Sequence, residues 1–169
     1  LGRNGGMAPY LLVPSTRHLV ALGKLDPRDA APLTDAALTS YHAVKRSVHL
    51  LDADSTAVVI GIGGLGQMAV QCLKALRPQT RVIAIDSAPD KRAAALAMGA
   101  DEALEPGEAA IARVKEATGG QGAQLVLDVV GADDTLAMAA AMGRRLGHIT
   151  IVGLAGGVVH AVRDEVAEA

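Results

Sequence analysis

Two features of this chain can do chemistry together: a glycine turn, Gly61-Ile62-Gly63-Gly64-Leu65-Gly66, and a carboxylate, Asp86, twenty residues beyond it. The apolar run Val58-Val59-Ile60 enters the turn, and an amphipathic stretch leaves it. A strand, a G-x-G-x-x-G turn, a helix and an acid at that spacing bind a dinucleotide. Gly61 allows the tight turn, Gly63 lets the backbone approach a pyrophosphate, and Gly66 lets the helix pack on the strand. Gly64 and Leu65 open the helix, whose unpaired N–H groups and positive dipole end can hold a diphosphate. Glycine turns also join elements that bind nothing, but here both flanks have the required pattern. The Asp86 carboxylate can accept from a ribose diol and repels a 2′-phosphate. Neutral Ser87 follows it and no arginine stands directly after the acid, so NAD is favoured over NADP. Lys91 and Arg92 either reach back towards the adenosine side or are exposed residues of the next helix.

Elements of the right kind surround these residues. The pattern predicts strands over Thr56–Ile60, Arg81–Ile85, Glu102–Leu104, Gln124–Val130 and His148–Val152. Between them it predicts helices over Gly64–Leu76, from Pro89 to Gly99, through Ile111 and Val114 to Thr118, and over Asp133–Met142. The first of these carries an apolar stripe of Leu65, Met68, Ala69, Cys72, Leu73 and Leu76. Strands alternating with helices of this length make a parallel sheet covered on both faces, an α/β, doubly wound Rossmann fold. Five strands are visible where such a sheet usually has six, so the sheet is expected to be incomplete. Before it, Met7–Pro14 reads as an extended segment. Asp26-Pro27 reads as a cap and first helical residue, opening helical sequence to about Leu51. The tail from Gly156 has weak helical character and no strand signal.

Composition narrows the class. Half of the 169 residues are apolar, enough for one packed core, and aromatics are limited to Tyr10 and Tyr41. The net charge is −2 with the signs interspersed, which argues against a nucleic-acid or membrane partner. Residues 56–73 are free of charge, but their glycines and Gln67 and Gln71 read as strand, turn and helix rather than a membrane span. The start lacks the apolar core of a signal peptide. A single cysteine, Cys72, excludes an internal disulfide and points to a cytoplasmic setting; its place on the apolar stripe makes it a packing residue.

Several segments together resemble the zinc-type medium-chain alcohol dehydrogenases, and most nearly their bacterial NAD-dependent secondary-alcohol members. Gly5-Gly6-Met7-Ala8-Pro9-Tyr10 is similar to the family's GGxAEY segment, with Pro9 in place of the acid. Asp26-Pro27 and Ala30 through Ala43 resemble the helix that leads into the nucleotide domain. Gly61–Gly66, Asp86, Gly99-Ala100-Asp101, the segment 118–123, Asp128-Val129-Val130-Gly131 and Gly147–Gly153 follow in the family's order, so the likeness runs over residues 5–155. It implies that residues 1–51 end a catalytic domain and its connecting helices, that 52–155 form the NAD-binding domain, and that 156–169 are an atypical tail. It places Asp35 as the third ligand of the catalytic zinc, a position more often Cys; a carboxylate suits zinc. Read alone, Asp35 is an ordinary helix acid. By the same likeness Thr39 packs against the nicotinamide, and Val130 and Gly131 meet the cofactor ribose. The backbone of Val152, Gly153 and Leu154 binds the carboxamide. Without the likeness these apolar residues read as core strand ends.

The family's cysteine ligand, its Gly-His-Glu motif and its four-cysteine lobe belong upstream of the matched region, and its sixth strand downstream. His18, His42, His49, His148 and His160 are scattered, with no HExxH-type pair, and read as surface or core residues. One ligand does not hold zinc, so zinc is expected only in a complete protein, and no catalytic residue is assigned to this chain. The expectation is the NAD-binding part of a zinc-dependent dehydrogenase of a small alcohol or ketone, inactive alone and homo-oligomeric at full length. A stand-alone, non-catalytic NAD-binding module is the alternative. A methyltransferase has a superficially similar turn, but the strict G-x-G-x-x-G counts against it.

Overall fold

The computed structural model describes residues 7–158, in two compact units divided between Pro32 and Leu33. In the first, a single 3₁₀ turn, Thr16–His18, precedes the four-residue helix α1, Pro27–Ala30. Asp26 caps α1 by accepting the Arg28 N–H at 2.7 Å, with proline at the first position. Met7–Pro14 forms no strand, because no ladder partner satisfies its backbone.

The second unit is built on one parallel sheet. Its strands are β1 (Thr56–Ile60), β2 (Arg81–Ile85), β3 (Glu102–Leu104), β4 (Ala123–Asp128) and β5 (Gly143–Ile151), in the spatial order β3-β2-β1-β4-β5. The helices are α2 (Ala36–Ser47), α3 (Gly64–Leu76), α4 (Pro89–Ala97), α5 (Glu108–Ala117) and α6 (Asp133–Met142). Every residue of β1 is buried, as a central parallel strand requires. Its side chains alternate between two cores. Ala57 and Val59 pack with Val44 of α2 and with Ala69, Val70 and Leu73 of α3. Val58 and Ile60 pack with Ala110 and Val114 of α5 and with Met138, Ala139 and Met142 of α6. Fully burying each such Val, Ile or Leu contributes about 1.5–3 kcal/mol, and these two layers hold the sheet edges in place.

Most predicted elements stand where the pattern put them, and the departures have physical causes. The buried stripe of α3 is Gly66, Ala69, Val70 and Leu73, rotated from the predicted one; Met68, Cys72 and Leu76 are half-buried at its flank. The continuous helix expected from Asp26 to Leu51 is broken by a 3₁₀ turn over Ala31–Thr34, where Pro32 lacks an N–H. A second 3₁₀ turn, Val48–Leu50, ends it. β4 stops at Asp128 rather than Val130: the Val129 N–H still donates to the Ile60 carbonyl, but the Asp128 carboxylate captures the N–H groups of Val130 and Gly131. β5 begins five residues earlier than expected. Gly143 pairs with Ala123 and His148 with Leu125, so the register shifts between them, and Leu146 takes a left-handed φ of 62° while 94% exposed. Of the tail, only Gly156–Val158 is described; the predicted helical character lies outside the described residues.

One ion pair pins α3 to the start of β2. Asp101 Oδ2 accepts from Lys74 Nζ at 2.7 Å and from the Val82 N–H at 2.7 Å. Burial works to raise the Asp101 pKa, and the Lys74 ammonium with the Val82 N–H overcomes it, so the group stays below its ordinary 3.8. A depressed carboxylate stabilises the fold above its unfolded pKa and loses that contribution as pH falls through its folded value. Asp101→Asn should therefore unfold more easily than the parent at neutral pH but lose less on acidification. Urea midpoints at pH 7 and below pH 3.8 check this, and parallel losses in both proteins would refute it.

Candidate functional site

The carboxyl ends of β1, β2, β4 and β5 lie along one edge of the sheet, where open α/β folds bind ligands. After β1 the chain turns at Gly61, whose φ of 91° is left-handed. A Cβ there would stand 2.5 Å from Val130 Cγ2, so a larger residue is excluded twice over. At Gly63 the opposite holds: nothing lies within 4 Å of where a Cβ would be, and the backbone faces open space. A Cβ on Gly66 would run into the Gly61 carbonyl, so α3 approaches the turn at backbone contact. No side chain caps α3, and its first intrahelical bond is Gln67 N–H to Gly63 C=O at 3.0 Å. The N–H groups of Gly64, Leu65 and Gly66 are therefore left as donors at the positive end of the helix. This arrangement fits a diphosphate: open space at Gly63, free donors beside it, and no side chain in the way.

Asp86 sits where the acid was expected and does more than expected. It is 9% exposed. Its Oδ2 accepts the Ile62 N–H at 2.7 Å and its Oδ1 accepts the Ala88 N–H at 2.9 Å. The acid thus fastens the glycine turn across from β2. An ionised carboxylate has about four acceptor positions, so roughly two remain for a ribose diol. Lys91 Nζ stands 4.0 Å from Asp86 Oδ2. Arg92 is turned away from that role, its Nη1 donating to the carbonyls of Asp86 and Ser87 at 2.8 and 2.7 Å.

The remaining predicted residues converge on the same edge. Gly131 and Gly153 meet backbone to backbone; a Cβ on either would strike the other's neighbourhood. The Val152 N–H donates to the Asp128 carbonyl at 2.8 Å, which sets the chain leaving β5 beside the chain leaving β4. Leu154 follows, 97% exposed. Ser40 of α2 donates its hydroxyl to the Leu65 carbonyl at 2.7 Å and so seats its half-buried neighbour Thr39 near the first turn of α3.

Asp35 stands immediately before α2, exposed, with Thr39 Oγ1 3.5 Å from its Oδ1. Its carboxylate is a suitable zinc donor. Among the described residues no group of three or more His, Cys, Asp or Glu side chains could hold a metal ion. The described residues therefore do not by themselves fit a catalytic zinc.

Asp128 stands in the sequence only as part of the Asp128–Gly131 landmark, with no role of its own. It is 0% exposed, with Oδ1 accepting the N–H groups of Val130 and Gly131 at 2.9 Å each. Its Oδ2 accepts the Thr135 hydroxyl at 2.8 Å. An acid closing an apolar strand three residues before Gly131 was the available signal. No helix among the described residues is long and apolar enough to cross a membrane.

Comparisons with known proteins agree with this geometry. Residues 64–165 match the model of a family described as zinc-binding dehydrogenase. A D-arabinose 1-dehydrogenase (NADP(+)) of Saccharolobus solfataricus is 36% identical over 155 residues, covering 90% of this chain and 44% of that protein. An NAD-dependent alcohol dehydrogenase of Sulfurisphaera tokodaii is also 36% identical, with the same coverage. The chain thus spans less than half the length of these curated relatives. The crystal structure of the D-arabinose dehydrogenase from Sulfolobus solfataricus superposes with a TM-score of 0.87 at 35% identity, over 92% of this chain and 49% of that one. The alcohol dehydrogenase of Aeropyrum pernix superposes with a TM-score of 0.76 at 32% identity, over 82% and 41%.

Proposed function

The chain belongs to the zinc-binding dehydrogenase family, and on that premise we propose that it is the NAD-binding part of a dehydrogenase acting on a small alcohol or ketone. The observation that carries this reading is the open backbone at Gly63 beside the uncapped start of α3, with the largely buried Asp86 fastened across the turn. The division into connecting helices up to residue 51, a nucleotide domain over 52–155 and a separate tail is part of the same proposal.

Each residue has a share in holding the cofactor. Gly61 and Gly66 bring strand and helix to backbone contact; Gly63 leaves the backbone open to the diphosphate, and Gly64 and Leu65 present it with N–H groups. Asp86 accepts the adenosine ribose hydroxyls and excludes a 2′-phosphate by charge, with Lys91 at the rim. Val130 and Gly131 border the second ribose. Thr39 packs against the nicotinamide face, and the backbone of Val152, Gly153 and Leu154 receives the carboxamide. A bound nicotinamide would supply the hydride acceptor. Asp35 is proposed as a residue that contributes to zinc in a complete protein.

The cofactor preference is testable because the relatives differ: one carries NADP in its name and another NAD. Calorimetric titration of the 169-residue chain should give NAD the tighter binding by about tenfold or more, equivalent to ~1.4 kcal/mol. Equal affinity, or tighter NADP, would overturn the assignment. The chain alone is expected to bind NAD weakly and to oxidise no secondary alcohol, since one carboxylate does not hold zinc; robust turnover by the purified chain would sink that reading.

A further inference from the structure

We propose that His49 and His148 form a surface binding site for a divalent transition metal, separate from the cofactor edge. They come from distant parts of the chain, His49 from the 3₁₀ turn after α2 and His148 from β5. The fold sets their ring centroids 5.9 Å apart with the planes at 78°. Two imidazoles that share one ion at N–metal distances near 2.0–2.1 Å have centroids about 5–6 Å apart, so the spacing fits.

Both rings are exposed, and one is already oriented. Ser47, 1% exposed, places its Oγ 3.1 Å from His148 Nδ1. With Nδ1 engaged, Nε2 is the nitrogen left for a ligand. Among the described residues neither it nor either nitrogen of His49 has a hydrogen-bond partner. A metal-ligating ring commonly donates its other N–H to a fixed acceptor, and the Ser47 oxygen can take that part for Nδ1–H of His148.

The surroundings define the ion. A recess of about 560 Å³ beside His148 is lined by Arg46, Ser47, Gly147 and Ile149–Ile151, with no carboxylate. Two imidazole nitrogen donors suit copper(II), nickel(II) or zinc and do not suit magnesium or calcium, which need oxygen ligands; the Arg46 charge lining the recess works against any cation, so the imidazole bonds must outweigh it. Water fills the other coordination positions. The twelve residues of α2 separate this pair from Asp35, about 18 Å along the helix. The site thus stands or falls apart from the family's catalytic zinc.

The test is a titration of copper(II) alone, then zinc alone, into the 169-residue chain. One equivalent of copper is expected to bind, with nitrogen hyperfine structure from two donors in its electron paramagnetic resonance spectrum. His49→Gln and His148→Gln should each weaken binding about tenfold or more, and the double variant little further. Ser47→Ala should weaken it less, and His42→Gln and His160→Gln should leave it unchanged. NAD affinity should be the same in all five single variants, so failure here leaves the cofactor reading intact. The proposal is overturned if copper binds no tighter than millimolar, if both exposed-histidine variants bind as the parent does, or if His160→Gln abolishes binding.

Discussion

Asp128→Ala should destabilise the chain by on the order of 3 kcal/mol, lowering the melting temperature by roughly 6–12 °C. The carboxylate is wholly buried and accepts three hydrogen bonds, from Val130 N–H, Gly131 N–H and the Thr135 hydroxyl. Alanine leaves the buried Gly131 N–H and the part-buried Val130 N–H without that partner, each costing up to about 1–3 kcal/mol, and the losses share one turn, so they do not simply add. The Thr135 hydroxyl is the least affected, because it also lies 3.0 Å from the Ala132 carbonyl. Asp128→Asn separates the causes: its amide oxygen can still accept both N–H groups, so it should cost clearly less. Denaturant unfolding of the three proteins measures this, and an alanine variant within ~0.5 kcal/mol of the parent would remove Asp128 as the organiser of the turn.

The second large effect concerns ligand affinity. Asp86→Ala should weaken NAD binding by ~1.5–3 kcal/mol, roughly 10- to 150-fold, the scale of hydrogen bonds to a charged group. Two contributions combine. The ribose hydroxyls lose their acceptor, and Ile62 N–H loses the 2.7 Å bond that fastens the glycine turn. NADP should be affected less, because removing the charge also removes a repulsion, so the NAD preference should shrink. Calorimetry with both cofactors gives the answer; unchanged NAD affinity in the variant would refute the ribose assignment.

How much of this was legible beforehand depended on the range of the interaction. β1, α3 and β2 are written locally: an apolar run, glycines at fixed offsets, a helical apolar stripe and an acid. Their bounds follow from those residues alone. β5 was foreshortened because its early part, Gly143 to Gly147, shifts register around an exposed Leu146 and carries no alternation to read. Asp128 was visible as a residue but not as an organiser, since its role lies in which backbone groups fold back onto it. The Asp86 carboxylate was read as a ligand group, and its bond to Ile62 depends on two strands lying side by side. The Ser47–His148 contact joins residues 101 apart, and no sequence period announces it.

The strand order has a consequence for synthesis on the ribosome. β1 can pair with β2 once residue 85 has emerged, since Val58 sits opposite Ile83. Its other edge waits for β4, because Val58 also sits opposite Val126. Through the intervening translation this charge-free apolar strand has one bare edge, open to any extended peptide nearby. The nascent chain is therefore most exposed to mispairing while α4, β3 and α5 are being made, and that hazard ends when β4 closes the centre of the sheet.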